Sequence, residues 1–341
     1  MLTFFKRSVP LYFAVLVAVF TGLAIFFINQ LKENTETVYS VNGASSFTAI
    51  PATCNMTPKR LGGYNYIAPL LFIETQCEAE SLEPLKNSIV AFIQQQKASG
   101  ILNDASFYLR DISKTEWTGY NQDAQYFPGS LLKVPELISY LRWEEQKPGI
   151  LNTKYFYDKP FFLDKNPVFL SKTLASGKAY TVKELLQYMI TYSDNNATMV
   201  LNNNLDKTYF DKIIADFNMA PIDWTKPNYL ISPKDFSVFM RVIYNASYLN
   251  INHSEWAAEL LSTCNFKDGF AKGIPPGTKM IHKFGEAGDP NEKQLHESAI
   301  IYINDHAYLL TVMTKGYDTR KLATVLAGIA NIVYKNFTTA P

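Results

Sequence analysis

Over residues 81–341 the sequence predicts an α+β domain: an antiparallel sheet built from strands near both ends of the domain, packed with a helical region between them. Three observations lead there. Strand-like runs occur early, at 105–112 and 116–120, and again late, at 297–303 and 307–314. Helical periodicity dominates the stretch between them. A long amphipathic segment from Thr319 to Tyr334 then closes the chain. About 260 residues is acceptable for one such unit.

The elements follow in order. Lys6 and Arg7 precede Val9–Ile28, a run without a charged residue. Twenty such residues rise about 30 Å as a helix, enough to cross a bilayer. The segment ends in Ile25-Phe26-Phe27-Ile28-Asn29-Gln30, without the small-x-small pattern of a cleaved leader. The expectation is a cytoplasmic tail at 1–8, a single transmembrane helix at 9–29 and an outward-facing remainder, because basic residues stay inside. The lipid bilayer is thus one expected partner. Residues 30–80 read as a stalk with limited structure. Cys54 and Cys77 lie there, on the oxidising side, and are expected to pair, while Cys264 is left over as a buried thiol.

Leu85, Ile89, Val90 and Ile93 mark a first helix. The two early strands join through Ser113-Lys114-Thr115 as a hairpin. Val134, Leu137, Ile138 and Leu141 form an apolar stripe on a helix opened by Phe127-Pro128-Gly129-Ser130, with Pro135 expected to kink it. Residues 147–178 are loop-rich. Thr181-Val182-Lys183-Glu184 reads as a capping box, and helices are expected at 233–246 and 254–264. The late strands flank a turn at Asn304-Asp305.

Three motifs carry chemistry. Ser130 and Lys133 are three apart, so on a helix they share a face, and a desolvated lysine amine can take a serine proton. An S-x-x-K is also expected by chance about once in a chain this long. In Tyr192-Ser193-Asp194-Asn195, a hydroxyl can relay protons and an amide can grip a substrate amide, while all three polar residues also suit a helix cap. His282-Lys283-Phe284-Gly285 lies on an extended run. There a lysine can hold an anion and glycine admits close approach, although an edge-strand lysine also deters aggregation. K-x-G recurs at Lys147-Pro148-Gly149, so this motif alone is weak.

In this order the three motifs match the signature of penicillin-recognising serine enzymes, and residues 81–335 resemble class A β-lactamases and their relatives. The Phe127-Pro128-Gly129-Ser130 approach, Glu184-Leu185-Leu186 before Ser193, and the Gly277-Thr278 run into Lys283 add to the likeness. The resemblance implies acyl transfer on a β-lactam or a peptidoglycan-like D-alanyl substrate. Ser130 would attack, Lys133 would be the base, and Ser193 would protonate the leaving nitrogen. Asn195 would orient the acylamide and Lys283 would attract the carboxylate. Gly285 would admit the substrate, and the backbone N–H groups of Ser130 and Glu286 would form the oxyanion hole.

Three departures from the family pattern matter. No glutamate lies between Asn195 and Ile231, where the family's deacylating base belongs; only Asp206, Asp211, Asp216 and Asp223 are available there. None is expected to replace it, so deacylation should be slow. Phe284 replaces the family's hydroxyl residue between Lys283 and Gly285. His282 reads either as a strand-surface residue, the preferred reading, or as a source of part of the lost hydrogen bonding.

The four histidines show no metal-ligand spacing, no cofactor is implied, and a net charge of +1 gives no footprint for nucleic acid. The competing class is a catalytically degenerate module of this fold that binds a cell-envelope component. The joint presence of Ser130, Lys133, Ser193, Asn195 and Lys283 argues against it.

Overall fold

The computed structural model describes residues 54–161, 167–169, 172–225 and 229–339. The expected tail at 1–8, the span at 9–29 and the first part of the stalk lie outside the described residues. Among the described residues no helix is long and apolar enough to cross a membrane.

The second half of the expected stalk is folded. Strands β1 (Met56–Arg60) and β2 (Leu70–Thr75) pair antiparallel, and Cys54 and Cys77 are disulfide-bonded at the base of this hairpin, with Cα atoms 5.6 Å apart. The hairpin is docked rather than free. Leu71 and Phe72 are buried, and the Arg241 guanidinium lies 4.1 Å from the Phe72 ring centroid. Glu74 accepts from Arg241 at 2.7 Å and from Arg110 at 3.4 Å. A single short strand with one buried face gives little periodicity, so its fold depends on partners distant in sequence.

Helix α1 (Glu83–Ala98) follows, burying Leu85, Ile89 and Ile93. Strands β3 (Leu102–Asp111) and β4 (Trp117–Tyr120) form the early hairpin. A 3-10 turn, Gly129–Leu132, leads into α2 (Lys133–Gln146). Pro135 does not kink α2. The helix starts only at Lys133, so Pro135 sits in the first turn, where backbone N–H groups have no intrahelical partner to lose. Strands β5 (Lys154–Tyr157) and β6 (Lys178–Thr181) pair within the segment expected to be loop-rich. Thr181 caps α3 (Val182–Thr191) through a capping box with Glu184.

Asp194 caps α4 (Asn195–Asn204), Asp206 caps α5 (Lys207–Asp216), and Ser232 caps α6 (Pro233–Tyr244). Helices α7 (Ile251–Ser262) and α8 (Phe270–Gly273) precede β7 (Met280–Gly288), β8 (Lys293–Ile303) and β9 (His306–Gly316). Asn304 and Asp305 join β8 to β9 with φ of 49° and 64°, the left-handed pair that a two-residue hairpin needs. The chain closes with α9 (Thr319–Thr339).

The main sheet runs β4-β3-β9-β8-β7, all antiparallel, so early and late strands share one sheet as expected. Period-2 alternation splits its faces. Phe107, Leu109, Leu310 and Val312 pack with Ile89 and Leu326 of α1 and α9. Tyr108, Leu309 and Met313 face the helical region, with Leu137 and Phe239. Strand β7 is left at an edge, beside the 3-10 turn that carries Ser130.

Glu74 neutralises two guanidiniums that are 2% and 5% exposed. Glu74→Ala strands both charges and should cost about 3–5 kcal/mol, read as a lowered denaturation midpoint. A loss below about 1 kcal/mol, the scale of an exposed pair, would show that the hairpin is not held by this cluster.

Candidate active site

Ser130 owes its position to two glycines. Gly129 has φ of +53°, and a Cβ there would run into the backbone of Glu286. A Cβ on Gly285 would sit 2.8 Å from Leu131 N. The bare backbones let edge strand β7 lie directly against the turn. Glu286 turns its carbonyl toward Gly129, and in a strand a residue's N–H points to the same side as its C=O. The Glu286 N–H therefore faces the turn, as an oxyanion hole requires.

Two side chains from β8 hold the turn from behind. Gln294 Oε1 accepts from Phe127 N at 3.2 Å, and His296 Nε2 lies 3.0 Å from Phe127 O. Burial pushes His296 down to about 3, so it is neutral. Its Nδ1 accepts from Thr314 N at 3.2 Å, so the proton sits on Nε2 and is donated to Phe127 O. Sequence reasoning missed both residues, because nothing local marks a strand position as facing a loop 167 or 169 residues away.

Ser193 is the hub. Its φ of +53° is a left-handed conformation that non-glycine residues rarely hold, and it ends α3 so that the side chain enters the site. Lys133 Nζ lies 3.1 Å from Ser193 Oγ and donates to Ser193 O at 2.6 Å and to Asn195 Oδ1 at 2.8 Å. From the other side Lys283 Nζ donates to the same Ser193 Oγ at 2.9 Å and to Phe284 O at 2.9 Å. Burial, with the Lys283 charge second, holds Lys133 well below the usual amine range. Burial likewise lowers Lys283 to about 8.

Asp194 plays the capping role. Its carboxylate accepts from Asn196 N, Thr173 Oγ1 and Leu174 N at 2.8–3.0 Å, fixing the loop and α4. Asn195, on the first turn of α4, keeps its amide N–H groups for a ligand.

These residues border a cleft of about 330 Å³ lined by Ser130, Ser193, Asn195, Phe284 and Glu286. The Glu286 carboxylate accepts from Val168 N at 2.8 Å and Phe169 N at 3.0 Å, tying the 167–169 segment across the cleft wall. The Phe284 ring stacks on Phe266 at 4.3 Å, and Lys283 Nζ lies 4.2 Å from its centroid. The lysine charge therefore meets an aromatic face where the family pattern has a hydroxyl.

His282 is not a surface residue. It is 1% exposed, with Nδ1 2.7 Å from Glu297 Oε1 and Nε2 3.2 Å from Cys264 O, on the strand face turned away from Ser193. It contributes nothing to the cleft. Cys264 is buried and free. Three candidate aspartates are occupied elsewhere: Asp206 caps α5, Asp211 accepts from Trp224 Nε1, and Asp216 accepts from Lys212 and Tyr248. Asp223 accepts from Thr225 N, and among the described residues no aspartate from this stretch lines the cleft.

The sheet, its edge strand beside a serine turn and the helical region opposite define a β-lactamase-type fold. Residues 84–337 match the β-lactamase enzyme family, and the chain belongs to that family. Among solved structures, PBP-A captured as an acyl-enzyme with penicillin G is similar at 17% identity and a TM-score of 0.63, over 76% of this chain and 98% of that one. A class A β-lactamase from Mycobacterium abscessus gives 18% and 0.63, over 74% and 99%. A last common ancestor of Gram-negative class A β-lactamases gives 20% and 0.63, over 74% and 99%. At these identities the likeness to solved structures shows the fold. No curated protein matches the sequence.

Gly285→Ala would push β7 off the Ser130 turn, since the obstructing atoms are backbone. The expected result is a lower melting temperature, with a cost of about 1–3 kcal/mol, and slower labelling of Ser130 by a fluorophosphonate. An unchanged labelling rate would mean that the close approach does not shape the site.

Proposed function

We propose that this protein is a membrane-anchored, outward-facing serine hydrolase that forms an acyl-enzyme through Ser130 with a β-lactam or D-alanyl-peptide-like donor, and releases it slowly. The observation that carries the reading is Ser193 Oγ held between two buried lysine amines, 3.1 Å from Lys133 and 2.9 Å from Lys283. The anchor rests on the uncharged run Val9–Ile28.

The hydrogen-bond inventory favours a particular charge state. An ammonium at Lys133 would donate all three protons, and one at Lys283 would crowd the same hydroxyl with like charge. If Lys133 is a neutral amine, Lys283 donates to Ser193 Oγ, and the Ser193 O–H donates to the Lys133 lone pair. Every group is then satisfied, and Lys133 is a base. Ser130 Oγ, on the same face of the turn, passes its proton to Lys133 as it attacks the acyl carbon. The oxygen that becomes negative is met by the N–H groups of Ser130 and Glu286. The Lys133 proton moves through Ser193 to the departing nitrogen, which restores the amine. The Asn195 amide holds the acylamide carbonyl.

Two features set limits. With no aspartate or glutamate from residues 196–230 in the cleft among the described residues, water lacks the base that the family uses for deacylation. The Phe284 ring over Lys283 removes a hydroxyl partner for a substrate carboxylate. The test is the intact mass of the full chain in detergent after incubation with benzylpenicillin. A persistent adduct, absent in Ser130→Ala, is expected. Phe284→Thr should speed its formation about tenfold, the scale of one hydrogen bond to a charged group. No adduct with either the wild type or Phe284→Thr would overturn the reading in favour of a non-acylating binding module.

A further inference from the structure

One buried titratable group has no part in the mechanism above. Glu136 lies on α2, one turn beyond Lys133, and is 3% exposed. Its Oε1 is buried without a hydrogen-bond partner, and among the described residues Glu136 makes no ion pair. An unpaired carboxylate in such a place costs several kcal/mol, and a native fold keeps one only with a compensating reason. The helical spacing places it on the same face as the Lys133 side chain.

We propose that Glu136 is a positioning residue that sets the base strength of Lys133, weak while Glu136 is a neutral acid and stronger once it is a carboxylate. The proposal rests on reading Ser130 as the nucleophile and Lys133 as its base. Glu136 touches no reacting atom and acts through the lysine. When it ionises, its carboxyl proton passes to water, and the negative charge left behind favours the ammonium that Lys133 becomes on taking the Ser130 proton. A stronger base removes that proton faster.

The surroundings leave this role to Glu136. Burial raises its carboxyl to about 8, and Lys133 is the one charged group that pulls it back. The Tyr140 hydroxyl one turn further along donates to Leu201 O at 2.7 Å and does not reach the carboxyl. Facing Lys133 are Lys283 from β7, Asp194 from the start of α4 and Cys264 from beyond α7. Lys283 also titrates near 8, so its loss of charge contributes to any change in Lys133 there. A Glu136→Gln variant keeps Lys283 and separates the two effects.

The sign for stability follows from the raised carboxyl. The folded protein holds the Glu136 proton up to about pH 8, while the unfolded chain releases it near the ordinary value of 4.5. The Glu136 contribution is therefore fully present below about pH 4.5 and declines as pH rises toward 8. Glu136→Gln should remove that decline.

The experiment measures the rate at which a fluorophosphonate labels Ser130 in the full chain in detergent, from pH 6 to pH 9.5. This probe carries no carboxylate, so closure of the carboxylate subsite by Phe284 does not affect it. The wild type should speed up by about threefold more than Glu136→Gln across pH 8, with Glu136→Asp retaining part of the rise. Superimposable profiles for the wild type and Glu136→Gln would overturn the proposal alone. No labelling of Ser130 at any pH would overturn the nucleophile reading and this proposal with it. A measurement on the wild type stands if the variants do not fold. Among the described carboxyls only Glu136 is raised, so its protonated C=O infrared band should be present at pH 6.5 and lost across pH 8. Absence of the band at pH 6.5 would overturn the proposal.

Discussion

Two lysine amines meet at one serine hydroxyl in a space almost without water: Lys133 is 3% exposed, Lys283 0% and Ser193 7%. Two ammonium groups this close repel strongly when poorly screened, and burial penalises each charge separately. The low-energy arrangement has one amine neutral, and a neutral lysine beside a serine turn is a general base. The chemistry follows from an electrostatic conflict that the fold imposes and resolves by removing a proton. Much of the architecture serves to keep the conflict in place.

That service comes from distant parts of the chain. Edge strand β7 delivers Lys283 and must lie close to the turn that delivers Ser130. Gly129 and Gly285 make that contact sterically possible, and Gln294 and His296 fasten the turn to the next strand. Ser193 is pushed into a left-handed conformation between α3 and α4, and the three hydrogen bonds of Asp194 hold it there. The sheet's two apolar faces, one under α1 and α9 and the other under the helical region, fix the strand that all of this leans on. Two departures then set this cleft apart. An aromatic ring caps the amine that would hold a carboxylate, and the Glu286 side chain ties the 167–169 segment across one wall.

The strands, the terminal helix and the reactive residues were legible because each leaves a local trace. Alternation marked β3, β8 and β9, and the Asn304-Asp305 turn is readable from residue type. Ser130, Lys133, Ser193, Asn195 and Lys283 converge in space after being read as three separate motifs. What escaped the sequence depends on contacts between residues far apart. The hairpin at 56–75 is held by Arg110 and Arg241, which no window around Glu74 contains. His282 occupies a strand position that could face either side, and only its meeting with Glu297 shows that it is interior. Glu136 falls off the apolar stripe of α2 and reads as solvent-facing, because a stripe does not reveal that the helix is covered on every side. Pro135 was misjudged by one helical turn, since the 3-10 turn before Lys133 leaves no periodic signal of its own.

If the two lysines and Ser193 form one proton-handling unit, their contributions to acylation cannot be independent. A double-mutant cycle on Ser130 acylation, with Lys133→Ala, Ser193→Ala and the double variant, measures this directly. The account predicts strong non-additivity, with the double variant about as slow as the slower single variant. Losses that multiply, so that each substitution costs the same factor whether or not the other is present, would contradict it.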